Sequence, residues 1–268
     1  MKILLTGHRG FIGGNLLNTL VSRHEVRTYD WGDASCNVDG CDWVMHIGAI
    51  SSTTETNVEK VLTQNLDFSI WLLNQCIIKG INFQYSSSAS VYGRHYNLNT
   101  PFKETDPVDP RSPYAWSKYL FERHVASLRK IDIIVQGFRY FNVHGPGEEH
   151  KGDQSSPQHK FRRQFQERGY IELFENSENY HRDFIHVDQI VDYHLRFLNV
   201  RDSGVWNIGM GKTKSFVDVA NEITTVHRRI KMPEKLVQSY QSYTCADITK
   251  LNNTLNKYEK STNSNTVP

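Results

Sequence analysis

The sequence predicts an α/β protein, a doubly wound parallel sheet joined to a smaller C-terminal domain. Three observations lead there. Short apolar runs alternate with helix-spaced apolar residues up to Phe138, and the first run stops at a cluster of glycines. Beyond Asn142 the rhythm changes to a loop rich in Gly, Pro and His, a basic helix and short strands. With 268 residues, 38% hydrophobic and 22% charged, the chain can fill one large core and has too little charge bias for disorder.

The elements follow in order. Lys2–Thr6 is an apolar run ending at Gly7, and Phe11, Ile12, Leu16 and Leu17 take helical spacing, so strand, turn and helix are expected. Residues 25–30 and 42–47 read as two further strands. Only the twelve residues 31–42 carry the chain from the end of one into the start of the other, about the minimum for a parallel crossover, so the sheet is expected to be trimmed after its second strand. Across residues 58–79, Val61, Leu62, Leu66, Ile70, Leu73 and Ile77 recur at threes and fours and predict one amphipathic helix ended by Gly80. Residues 83–86 read as the next strand, a proline-rich loop spans 101–113, a helix is expected over 114–130 and a β-branched strand over 131–138. Residues 1–145, with 181–200 returning to them, form the expected larger domain, and 146–180 with 201–258 the smaller one. The Ser/Thr/Asn-rich tail, 259–268, is expected to be disordered. Trp31, Trp43, Trp71, Trp116 and Trp206 read as packing residues.

Composition narrows the function. Lys and Arg number 31 against 29 Asp and Glu, a net charge of +2 with no basic stripe, which argues against a nucleic-acid partner. No run approaches the ~18 apolar residues of a membrane span, and the first strand reaches Gly7 too soon for a secretory signal. A cytoplasmic protein without a membrane partner is expected. Cys36, Cys41, Cys76 and Cys245 are too scattered for a disulfide scaffold and read as reduced thiols. The histidines offer no pair at ligand spacing beside a carboxylate, so no metal is expected.

Two motifs carry chemistry. A glycine turn after the first strand lets backbone N–H groups and the next helix N-terminus approach a pyrophosphate, and Gly7, Gly10 and Gly13 supply such a turn, with Arg9, Phe11 and Ile12 between them. Asp30, at the end of the second strand, can accept hydrogen bonds from adenosine ribose hydroxyls, which leans the cofactor toward NAD. Arg9 can pair with a 2′-phosphate and leans it toward NADP, so both stay open with NAD favoured. Tyr114 and Lys118 stand four apart on one helix face, where an ammonium lowers the pKa of a neighbouring phenol and makes a base of it. They follow a serine-rich strand end, Ser86-Ser87-Ser88-Ala89-Ser90.

Gly7-x2-Gly10-x2-Gly13, Ser88 and Tyr114-x3-Lys118 together resemble the extended short-chain dehydrogenase/reductases that act on nucleotide sugars. More narrowly, Gly48-Ala49-Ile50-Ser51-Ser52-Thr53-Thr54-Glu55, the stretch from Phe138 through Asn142 to Pro146, and Glu149-His150-Lys151-Gly152 are similar to the ADP-glyceromanno-heptose 6-epimerases. The likeness continues through residues 173–179, Arg182-Asp183-Phe184 and residues 240–244. It implies a Rossmann fold of the extended type with a substrate-binding domain, NAD or NADP as cofactor, a nucleotide-sugar substrate, and a homodimer formed through the helices 58–79 and 114–130.

The resemblance also implies roles. Ser88 polarises the reacting C–O group, with Ser87 as the alternative, Tyr114 is the acid/base, and Lys118 is its partner and holds the nicotinamide ribose. Lys151 is either a second acid/base or a phosphate clamp, while Asn142, Arg182 and Tyr240 contact substrate. Arg182 paired with Asp183 at the surface is the plainer reading. The activity implied is epimerisation through a transient ketone. A 4-epimerase, reductase or dehydrogenase on the same scaffold, or a catalytically idle cofactor-binding regulator, stands as the alternative. Ala89-Ser90 after Ser88, where a dehydratase carries an Asp-Glu pair, counts against dehydration. The chain departs from that branch in the short segment between Asp30 and Trp43 and in the basic run Lys160-Phe161-Arg162-Arg163.

Overall fold

The computed structural model describes residues 1–93, 100–234 and 241–264. Its centre is a six-stranded, all-parallel sheet. The strands are β1 (Lys2–Thr6), β2 (Glu25–Tyr29), β3 (Trp43–His46), β4 (Asn82–Ser88), β5 (Val135–Tyr140) and β10 (Gly204–Ile208), in the spatial order β10-β5-β4-β3-β1-β2. Residues 31–42 form neither helix nor strand, so β2 is the sheet edge and the trimming expected from the sequence is present.

Side chains alternate across the sheet, and each face has its own helices. Leu4, Val44, Phe83, Tyr85 and Val135 meet Leu72, Leu73 and Cys76 of α3 (Phe68–Lys79) and Phe121 of α4 (Pro113–Ser127). On the other face Ile3, Leu5, Trp43 and Met45 meet Leu16 and Leu20 of α1 (Phe11–Leu20) and Val191 of α6 (Val187–Phe197). Short strands pair outside the sheet, β6 (Asn142–His144) with β9 (Phe184–His186) and β8 (His181–Arg182) with β11 (Lys214–Ser215). The smaller layer holds α5 (Pro157–Arg168), β7 (Ile171–Phe174) paired with β12 (His227–Ile230), and α7 (Phe216–Asn221), around Phe161, Leu173 and Val219.

Several expectations change. The helix over 58–79 is not uniform: α2 (Val58–Leu62) runs through a π-helical turn, Thr63–Asp67, into α3, which Gly80 ends in the left-handed conformation (φ +68°). α4 stops at Ser127, and pairing of β5 begins at Val135, four residues later than the apolar run suggested; Lys130 turns the chain with φ +54°. Residues 201–258 do not all lie in the smaller domain. β10 pairs with β5, and α8 (Thr249–Ser264) lays Leu251 and Leu255 on Phe138 and Trp206.

The same helix corrects the disordered tail as far as Ser264. Glu259, within that tail, pairs with Arg196. Composition gave no helical signal there because α8 is held by its buried leucines rather than by intrinsic propensity. Trp43 and Trp206 are core residues, whereas Trp31, Trp71 and Trp116 pack at the surface, the first two against Phe68 and the third against Tyr119, each leaving part of its ring exposed. No helix among the described residues is long and apolar enough to cross a membrane.

Candidate active site

The glycine turn sits where β1 meets α1. Gly7 has φ +77°, and a Cβ there would lie 2.4 Å from the Gly48 backbone; a Cβ on Gly13 would lie 2.0 Å from the Gly7 carbonyl. Packing therefore demands the first and third glycines. Gly10 differs, since its Cβ would meet only the Gly7 carbonyl at 3.3 Å while the residue itself lines a cleft. It keeps open a cradle that a side chain would fill. Gly10 also caps α1 without any side-chain cap, and no acidic residue stands in the first turn. The first-turn residues Phe11, Ile12 and Gly13 line the same cleft, so the uncapped helix start suits a pyrophosphate. Beside it, a second compartment sharing Gly7, Asp30 and Gly48 is walled by Tyr29, Trp31 and Phe68, a setting for a planar base. These residues fit a dinucleotide.

The far end of the cleft is built by β4 and α4. Ser112 caps α4 by accepting from the Ala115 N–H at 3.2 Å, and Pro113 opens its first turn, which starts the helix one residue before Tyr114. Tyr114, Lys118 and Glu122 then stand on one face. Lys118 is 6% exposed, and its Nζ donates to the Ser86 carbonyl at 2.9 Å and hydroxyl at 3.1 Å, 5.9 Å from the Tyr114 ring centre. Burial pulls the Lys118 ammonium down to about 8, against the opposing charge of Glu122.

Tyr114 shares a hydrogen bond with Ser88. Its pKa is raised by burial, with the Ser88 bond pulling the other way, so in the bare protein the shift is opposite in sign to that expected from the Tyr-x3-Lys spacing. The physical reason is that Lys118 spends its donors on Ser86, and desolvation of the phenol outweighs a charge beyond the ring. Ser86 and Ser87 line the cleft, but the Ser87 hydroxyl is taken: it donates to Glu122 at 2.5 Å, inside a buried ion pair of Glu122 with Arg139. Of the two serines, Ser88 is the one beside Tyr114.

The chain matches the NAD dependent epimerase/dehydratase family over residues 3–209. It belongs to that family. It is 34% identical over 289 aligned positions to the ADP-L-glycero-D-manno-heptose-6-epimerase of Brachyspira hyodysenteriae, covering 93% of this chain and 90% of the relative. Two solved structures share the fold. The ADP-L-glycero-D-manno-heptose-6-epimerase of Helicobacter pylori has TM-score 0.81 and 24% identity over 96% of this chain and 90% of that one. The UDP-N-acetylglucosamine 4-epimerase of Methanobrevibacter ruminantium has TM-score 0.83 and 22% identity over 98% of both.

Within this epimerase/dehydratase scaffold, Lys151 reaches the same cleft as the glycine turn, Tyr114 and Lys118. Its Nζ lies 3.6 Å from Glu148 Oε2 and 4.9 Å from the Phe11 ring centre. Burial lowers its pKa and the carboxylate of Glu148 opposes the fall. Glu148, 1% exposed, accepts from the N–H of Gly145 (3.0 Å), the N–H of Ser156 (2.6 Å) and the Ser156 hydroxyl (2.7 Å), which fixes it under the lysine. Gln154 donates to Thr54 at 3.3 Å, so the loops carrying Ser51–Glu55 and Glu149–Gln154 meet.

Asn142 and Arg182 line neither this cleft nor the second one, between α5, β7 and Phe216. The Asn142 N–H donates to the Asp183 carbonyl at 3.0 Å. Arg182 is buried rather than at the surface: it donates to the carbonyls of His181 and Gln241 and lies over the Phe216 ring. Asp183, fully buried, accepts from the N–H groups of Met210, Gly211 and Ala246. Tyr240 lies outside the described residues.

Sequence reasoning missed Asn65, Glu122 and Glu148. Glu122 had a readable signal, since it continues the spacing of Tyr114 and Lys118 by four. Asn65 had none: an asparagine in an amphipathic helix reads as solvent-facing, yet the π turn buries it. There it accepts from the Ile50 N–H (2.8 Å) and donates to the Ile50 carbonyl (2.9 Å) and to Ser117 (3.1 Å).

Proposed function

We propose that the chain epimerises a nucleotide-linked sugar, most closely the 6-position of an ADP-linked heptose, through a transient ketone. The observation that carries this is the convergence of two proton-carrying side chains, Tyr114 and Lys151, from separate elements on the cleft over the glycine turn. A bound nicotinamide supplies the hydride chemistry, removing a hydride and returning it so that none is consumed. The chain's residues manage protons and position. Ser88 donates to the oxygen that gains charge, Tyr114 passes the hydroxyl proton on one face, and Lys118 holds the ribose and favours the phenolate. Lys151 serves the other face. The similarity to the Brachyspira enzyme supports the heptose assignment.

The second cleft, with Phe161, Leu173, Phe174 and Phe216 beside Lys160, suits the planar base and phosphates of the substrate. Asn142, Arg182 and Tyr240 keep their proposed roles near substrate, with Arg182 acting from behind Phe216. The proposal includes a homodimer. α2 and α4 expose Val58, Trp116 and Leu120, the last two four apart on one face. It also includes a cytoplasmic setting, supported by cysteines that are free thiols.

Incubation with an ADP-linked heptose tests the reading: interconversion of the two epimers with no net change in cofactor absorbance is expected, and net oxidation or no turnover overturns it. The second reading of Lys151, a phosphate clamp, draws on its contact with Glu148, which favours the charged form. Kinetics of Lys151→Arg separate the two. Retained kcat identifies a clamp, and lost kcat with little change in KM identifies the acid/base.

A further inference from the structure

The corner at the end of β2 brings the side chains of Arg9, Asp30 and Asp33 together with His8, the Arg9 guanidinium remaining largely exposed to solvent. Asp30 Oδ2 accepts from the Arg9 N–H at 2.9 Å, and His8 Nδ1 lies 3.1 Å from the same oxygen. The chain then turns back on itself, the Asp33 N–H donating to the Asp30 carbonyl at 3.0 Å and the Asp30 N–H donating to Asp33 Oδ2 at 2.7 Å. The other oxygen of Asp33 accepts from Arg9 Nη2 at 2.7 Å. The guanidinium that the sequence offers to a 2′-phosphate is thus already engaged by a carboxylate from the shortened segment after β2.

We propose that Asp33 sets the choice between NAD and NADP by holding the Arg9 guanidinium away from the adenosine ribose, so that this corner takes a free ribose diol and rejects a 2′-phosphate. A phosphate dianion entering here meets the carboxylates of Asp30 and Asp33 together, and must separate Arg9 from Asp33 before it gains a cation. A ribose hydroxyl needs only an acceptor, which Asp30 provides. Asp33 stays ionised at neutral pH because the Asp30 N–H, and after it Arg9, hold its carboxyl below the usual carboxylate range. The arrangement is confined to residues 8–9 and 30–33, so it acts on the ribose end of the cofactor and not on the reacting end.

The inference rests on the nicotinamide cofactor of the family and not on the heptose reading, so either can fail alone. The test measures binding rather than turnover. Cofactor released from the purified protein is identified by mass, and the protein stripped of it is titrated with NAD and NADP, following tryptophan fluorescence, since Trp31 lines the base compartment. The wild type is expected to release NAD and to bind it at least tenfold more tightly than NADP.

Asp33→Asn is expected to shift the NADP-to-NAD affinity ratio about tenfold toward NADP, as expected when a guanidinium gains a phosphate partner. Arg9→Ala alone should move that ratio less than twofold, and Arg9→Ala added to Asp33→Asn should cancel the gain. Three results overturn the proposal: a wild type that prefers NADP, an Asp33→Asn variant whose ratio is unchanged even if both affinities fall, and a gain that survives loss of Arg9.

Discussion

At the scale of single residues the site is governed by desolvation. Tyr114 and Lys118 shift in opposite directions from their ordinary values, both because burial disfavours the charged form. The lysine consequence has a definite sign. Its ammonium persists below pH of about 8 and is lost above it, so kcat/KM should fall as pH rises through that value. A profile flat well into the alkaline range would rule out the ammonium as a working group. For stability the same shift runs the other way: the cost of burying the charge is present below about pH 8 and is relieved as pH climbs toward the usual lysine value. Tyr114→Phe removes one hydroxyl and little volume, and should lower kcat by roughly 10² to 10⁴ while cofactor stays bound. Near wild-type turnover would mean another group carries the proton.

At the scale of elements, the π turn Thr63–Asp67 and the helix α8 do work that local pattern does not announce. The π turn rotates Asn65 inward to clamp both backbone groups of Ile50, in the loop beside the cofactor cleft, and to reach Ser117 between Tyr114 and Lys118. Asn65→Ala leaves those groups unpaired at about 1–3 kcal/mol each, so a lowered midpoint in urea together with faster loss of cofactor is expected. A loss of stability with cofactor retention unchanged would make the clamp purely structural. α8 contributes Leu255, 3% exposed, to the core around Trp206. Leu255→Ala should cost about 2–5 kcal/mol by denaturant titration, whereas a frayed tail would tolerate it within experimental error.

At the scale of the whole molecule, the helices that position Asn65 and Tyr114 also carry the outward residues Val58, Trp116 and Leu120. If these faces pair across a two-fold axis, Trp116→Glu should convert a dimer to a monomer in sedimentation at micromolar concentration, and a wild-type monomer would refute the pairing.

The sequence by itself determined the parallel sheet, its trimming after β2, the glycine turn and the Tyr114/Lys118 face. Each of these depends on residues a few positions apart, where period, turn chemistry and chain reach act directly. Only the tertiary structure decided that Ser87 joins Glu122 while Ser88 meets Tyr114. It alone brought Lys151 over Phe11, and Asp33 onto Arg9. It also sent β10 and α8 back to the central sheet. Adjacent strand residues point to opposite faces, so a serine run cannot say which hydroxyl faces the cleft until the register with its neighbours is set. Contacts between residues 24 or 140 positions apart depend on where the whole sheet places its loops, and desolvation, which fixed the sign of the Tyr114 shift, exists only once the surrounding atoms are in place.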